Sequence, residues 1–225
     1  MIHLVNISKQ YSTWAGDRIV LFPTSLSIPT DRGVAVLGRN GAGKSTLLRM
    51  IAGVEMPDQG SIIRTVPVSW PLGYGGGISP DMTGRQNVRF IARLNATDED
   101  EAVAFVEDFA ELGPYLDEPV SAYSSGMRGR LNFGISLAID FTCYLIDEGT
   151  STGDVWFREK CAAAFAERRR RSSGLLMVSH NPNTVRQYCD LGMVLHRGHL
   201  VPFADLDEAI HFYVHGASPV KQAVD

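Results

Sequence analysis

The chain has 225 residues, enough for one large domain, or a domain with a subdomain, around a substantial core. Hydrophobic residues make up 44% and charged residues 20%, an ordinary globular balance, and a net charge of −4 argues against nucleic acid as the main partner. The three cysteines, Cys143, Cys161 and Cys189, are far apart and form no C-x-x-C pair, which argues for reduced thiols over disulfides or zinc.

The N-terminal "MIHLVNISKQYST" has no basic stretch followed by an apolar core, so no signal peptide is expected. "HLVNISKQY" and "IVLFPTSLSI" read as β segments, and "GVAVLG" as a short buried strand. "RNGAGKSTLLRMIAG" is a loop opening into a helix that Gly53 stops; "PDQG" is a turn and "SIIRT" another strand. "SWPLGYGGGISP", residues 69–80, packs Gly73, Gly75, Gly76 and Gly77 into five positions. It is not a dinucleotide loop, because the third glycine of G-x-G-x-x-G falls on Ile78 or on Pro80. From Thr83 the pattern turns helical, with Gln86 placed to complete a capping box, and "TDEDE" at 97–101 is a capped helix start. "SSGMRGRLNFGISLAID" is a helix, "CYLID" a buried strand, "VWFREKCAAAFAERRRR" a helix and "GLLMVSH" a strand. "MVLHRGHLVPF" reads as a hairpin and "DLDEAIHFYVH" as a closing helix. The apolar run "FGISLAI" into "FTCYLI" is broken by Asp140 and too short to span a bilayer, so the chain is expected to be soluble. Strands alternating with helices imply an α/β fold with a parallel sheet, and the helical stretch from about 83 to 123 implies an inserted subdomain.

"GRNGAGKST" satisfies G-x-x-x-x-G-K-[ST] between an apolar strand and a helix. Gly38, Arg39, Asn40, Gly41, Ala42 and Gly43 would turn backbone N–H groups onto phosphate oxygens, with Thr46 completing the motif. Lys44 adds a positive charge at the β- and γ-phosphates, and Ser45 supplies an oxygen for Mg2+. "CYLIDEG" places two carboxylates at the C-terminal end of a buried strand, where α/β sheets put their ligands. Asp147 would hold Mg2+ through water, and Glu148 would polarise the attacking water, because a carboxylate committed to the metal cannot also act on water.

"YSSGMRGRL", starting at Tyr123, resembles the signature motif of ATP-binding cassette (ABC) ATPases, with Ser124, Ser125 and Gly126 in the anion-binding positions. The resemblance covers nearly the whole chain and implies a P-loop cassette with a RecA-like parallel core and an N-terminal antiparallel β portion, as a single domain over 1–225. It implies that His180 in "MVSH" contacts the γ-phosphate, that Tyr11 in "SKQY" stacks on adenine, and that "GTSTGD" forms a dimer-interface loop ending in Asp154. In such a homodimer each ATP would lie between Lys44 of one copy and Ser124 to Gly126 of the other.

"SWPLGYGGG...TGRQNVRFIARL" and "CYLIDE" are similar to the ATPase subunits of capsular polysaccharide exporters, relatives of those for O-antigen and teichoic acid. That resemblance implies a peripheral protein on the cytoplasmic face of the bacterial inner membrane, bound to an integral membrane permease, with no C-terminal carbohydrate-binding domain. Trp70 to Pro80, with exposed aromatics at Trp70 and Tyr74, is the expected docking groove for the permease; the glutamine that most cassettes carry there is missing. Two other readings stay open: a soluble cassette acting on ribosomes or DNA, which usually has two cassettes or a long coiled coil, and a P-loop kinase, which leaves "YSSGM" and His180 without a role.

Overall fold

The computed structural model describes residues 1–14, 16–72, 77–147, 155–170 and 174–216, without the side chains of 155, 156, 158, 162, 165 and 168–170. Strand β1 (Ile2–Thr13) pairs antiparallel with β2 (Gly16–Ile28) on one side and β4 (Gln59–Arg64) on the other, giving a three-stranded sheet. A six-stranded sheet contains β3 (Gly33–Leu37), β5 (Val68–Pro71), β6 (Cys143–Asp147), β7 (Gly174–Ser179), β8 (Leu191–His196) and β9 (His199–Phe203) in the order β5-β6-β7-β3-β8-β9. Its first five strands are parallel, and β9 returns antiparallel as the second arm of the hairpin.

The central strands read as continuous apolar runs because both faces are covered. Alternation along them feeds two cores. Val34 and Val36 of β3, Cys143 and Leu145 of β6, and Leu176 and Val178 of β7 join one core with Ile2, Leu4 and Ile7 of β1. Helix α1 (Lys44–Ala52) sits in that core through Leu47, Leu48, Met50 and Ile51, and ends at Gly53, whose φ of +80° suits a left-handed cap. Ala35, Leu37, Tyr144, Leu175 and Met177 face the other core. There they meet α2 (Gly84–Leu94), α3 (Glu99–Ala110) and α4 (Ser125–Ala138) through Val88, Ile91, Val103, Val106, Leu131 and Ile135. Helices α5 (Val155–Arg170), α6 (Pro182–Tyr188) and α7 (Leu206–His215) complete the order, α5 adding Phe157 beside Phe109 and Leu137. No helix among the described residues is long and apolar enough to cross a membrane.

Chemistry set several element boundaries. The capping box at α2 is present: Thr83 Oγ1 accepts from Gln86 N (3.1 Å), and the Gln86 side chain accepts from Thr83 N (2.9 Å). The capped start of α3 is present as well, with Asp98 as the cap, its carboxylate accepting from the N–H groups of Asp100 and Glu101. Strand β4 begins at Gln59, so the last two residues of "PDQG" enter the strand: Gln59 pairs with Ser8 of β1, and Gly60, at φ +77°, sits at the register shift that follows. One strand and one α-helix are additional to those expected from the sequence: β5, which lies at the start of the glycine-rich stretch, and the short helix α6; two 3-10 turns, Gly113–Asp117 and Val120–Ala122, are additional as well.

Candidate active site

The loop between β3 and α1 is shaped by its glycines. Gly43, the residue before α1, has φ +104°, and a Cβ there would sit 2.2 Å from Val20 Cγ1, so only glycine fits. No side chain caps α1, and its N-terminus opens on a cavity lined by Gly41, Gly43, Lys44 and Ser45. A helix N-terminus with an uncapped first turn is a preformed anion site. Lys44 Nζ donates to the carbonyl oxygens of Gly38 (2.7 Å) and Arg39 (3.1 Å), holding the ammonium across the loop. Gly38, Arg39 and Ala42 therefore shape the loop without lining the cavity, whereas Asn40 and Thr46 line it.

The cavity is about 520 Å³, within the range of roughly 300–1,000 Å³ usual for small-molecule and cofactor sites. Asp147 reaches it from the end of β6 and His180 from just beyond β7, the C-terminal strand ends where a parallel sheet offers its ligand crevice. Ser45 and Asp147 thus bring two oxygen donors to one cavity, a donor type that fits a hard divalent cation. Glu148 and Asp154 lie outside the described residues.

The far wall comes from the antiparallel sheet. Tyr11 and Arg18 are cross-strand partners in β1 and β2, and both line the cavity. Arg18 donates to the Gly41 carbonyl, tying β2 to the phosphate loop. The Tyr11 hydroxyl donates to Glu55 Oε1 at 2.5 Å, and Arg49 Nε donates to Glu55 Oε2 at 3.1 Å. Burial works against the Glu55 charge, but hydrogen bonds from Tyr11, Arg49 and Lys9 outweigh it and hold the carboxyl below its ordinary value. Lys9 is raised, chiefly by its hydrogen bond to Asp58. Nothing in the sequence around Glu55 marks it, since its partners come from 6 to 46 positions away.

The signature residues lie at the start of α4, outside the lining of this cavity. Ser124 is the cap, its Oγ accepting from Met127 N at 3.2 Å; Ser124 and Ser125 are exposed and Gly126 half-buried. Within one chain they do not line this cavity. Tyr123, by contrast, is buried, its hydroxyl donating to the Tyr115 carbonyl at 2.5 Å.

One expectation is corrected. Trp70 is not an exposed docking anchor: it belongs to β5, packs against the core, stacks edge-on with Phe141 at 5.2 Å, and donates from Nε1 to Ser136 Oγ on α4 at 2.7 Å. Trp70 is half-buried, and Pro71 and Leu72 beside it are buried. The indole won a core position because β5 pairs in parallel with β6, which places the ring over α4. Tyr74 lies outside the described residues.

A phosphate loop opening α1, a Mg-compatible pair of oxygen donors, an aromatic wall from a separate antiparallel sheet, and an exposed serine-capped helix after a helical excursion define an ATP-binding cassette. The chain belongs to the ABC transporter family, whose model matches residues 21–151. It is 48% identical to the polysialic acid transport ATP-binding protein KpsT of Escherichia coli, over 90% of this chain and 91% of that protein. It is 47% identical to the capsule polysaccharide export ATP-binding protein CtrD of Neisseria meningitidis serogroup B, over 95% of this chain and 98% of that protein. Among solved structures, a dimeric ATP-binding cassette bound to ADP and Pi superposes with a TM-score of 0.71 at 19% identity, covering 89% of this chain and 96% of that one, a likeness of fold.

Proposed function

We propose that this chain is the ATP-hydrolysing subunit of a bacterial exporter of capsular or related cell-surface polysaccharide. It is read as one cassette over 1–225 with its helical subdomain near 83–123, peripheral to the cytoplasmic face of the inner membrane, and dimeric beside a separate integral membrane permease. The observation that carries the reading is the identity of 47–48% across nearly the full length of two polysaccharide transport and export proteins. The parallel-sheet cavity supplies the chemistry. Nothing comparable supports action on ribosomes or DNA.

Backbone N–H groups of residues 40, 41 and 43–46 and the Lys44 ammonium would take the triphosphate, and Tyr11 the base. Ser45 and Asp147 would hold Mg2+, which when bound neutralises charge on the phosphate oxygens. Glu148, next in sequence to Asp147, would accept a proton from the attacking water, and His180 would orient the γ-phosphate. Ser124, Ser125 and Gly126 of a second copy would close the site, which fits the exposure of the two serines and the place of all three outside the lining of their own chain's cavity. With Trp70 committed to the core, the permease surface contracts toward Gly77 to Pro80 and the glycine-rich residues before them.

Purification of the tagged chain from detergent-solubilised membranes tests the assignment. An integral membrane protein should co-purify stoichiometrically. Recovery with ribosomes or nucleic acid and no membrane protein would overturn it.

A further inference from the structure

We infer that Glu55 is a positioning residue for the base-binding wall: it holds the Tyr11 ring against the cavity and ties that wall to the phosphate-loop helix. The inference rests on the reading of Tyr11 as the residue that receives the base. Tyr11 is 37% exposed and reaches the cavity from strand β1, in a sheet separate from the one that carries the phosphate loop. An aromatic so placed needs something to fix its angle relative to the phosphates, or the two ends of one ligand cannot be held in register.

Glu55, just past the end of α1, supplies that link. One carboxylate oxygen accepts the Tyr11 hydroxyl at 2.5 Å, with Lys9 Nζ 3.3 Å away; the other accepts Arg49 Nε at 3.1 Å. Arg49 is on α1, and its second nitrogen donates to Thr46 Oγ1 at 3.2 Å, on the same helix turn that lines the phosphate end. The chain of contacts from Tyr11 through Glu55 and Arg49 to Thr46 is closed by a direct 3.5 Å approach of the Tyr11 hydroxyl to Thr46 Oγ1. Lys9 Nζ also stands 5.4 Å from the Tyr11 ring centroid, so the ring is held both at its hydroxyl and by a cation. Glu55 itself does not line the cavity, so its route to a ligand there is through Tyr11. Charge-assisted hydrogen bonds of this type are short and directional, which suits a group whose task is orientation.

The test separates the base end from the phosphate end. Dissociation constants for ATP and for inorganic tripolyphosphate, which has no base, are measured by calorimetry on the full chain carrying Glu55→Ala, Tyr11→Phe, both together, or Tyr11→Ala, with thermal unfolding followed in parallel. Glu55→Ala should weaken ATP binding about three- to tenfold and change tripolyphosphate binding less than twofold. Tyr11→Phe, which removes only the hydroxyl and leaves the ring, should reproduce part of that loss, and the double variant should be no worse than Glu55→Ala alone. Equal weakening of both ligands would show that Glu55 merely supports the phosphate loop, and additive losses would show that it does not act through the Tyr11 hydroxyl. Unaltered ATP affinity in Tyr11→Ala would instead overturn the reading of Tyr11, whatever Glu55 does.

Discussion

Gly43 shows how much of the phosphate cradle depends on the absence of a single carbon. Its φ of +104° and the 2.2 Å gap between a built Cβ and Val20 Cγ1 leave no room for alanine. Gly43→Ala should therefore cost roughly 1–3 kcal/mol of stability and weaken ATP binding, read by denaturant melts and by calorimetry. The cysteines make a complementary case. Burial pushes the Cys143 and Cys161 thiols up to about 12. The unfolded thiols have their pKa near 8.5, so at pH 8 the folded thiols stay protonated while the unfolded ones partly ionise. Because the thiolate is the nucleophile, iodoacetamide at pH 8 should leave both intact in the native protein and label them after unfolding, as mass spectrometry would show.

Among the elements, those with local chemistry were legible in the sequence and those made by distant partners were not. The strand before the phosphate loop, the stop at Gly53 and the capping box at Thr83 and Gln86 rest on residues at most four apart, and each is present. The residues of the loop that opens α1 were readable for the same reason. Strand β5 has only four residues and ends in proline; it survives because an edge strand can hold a proline, with Val68 and Pro71 opposite Cys143 and Leu145 of β6. Neither that pairing nor the Trp70–Ser136 hydrogen bond, 66 positions apart, is written locally, so an indole beside glycines looked like a surface anchor. Helix α6 did carry its own signals, with Asn181 accepting from Asn183 N and Pro182 in the first turn. Trp70→Phe keeps the aromatic packing but removes the bond to Ser136, whose hydroxyl retains the Asn132 carbonyl. It should cost about 1–2 kcal/mol in urea unfolding. A neutral result would place the ring's value in packing alone.

For the whole molecule, the exposed start of α4 lies outside the lining of the cavity, and the proposed second copy is what would bring those residues to it. One chain presents Lys44 and Asp147 to its own cavity but leaves Ser124 and Ser125 facing outward. ATP held without turnover should therefore shift the chain from monomer to dimer in sedimentation velocity, and ADP should not, because in the proposed arrangement the γ-phosphate is the group the second copy would reach. Dimer formation that ignores the nucleotide would contradict that arrangement.

The central claim, that ATP turnover at this cavity drives polysaccharide out of the cell, is tested most directly by replacing the chromosomal gene with one encoding Glu148→Gln and measuring where the polysaccharide resides. The amide keeps the shape of the carboxylate but cannot take a proton from water. The account predicts that surface polysaccharide is lost, that polymer accumulates inside the cell, and that the variant protein is still present and still binds ATP. Surface polysaccharide at the wild-type level in those cells would contradict it.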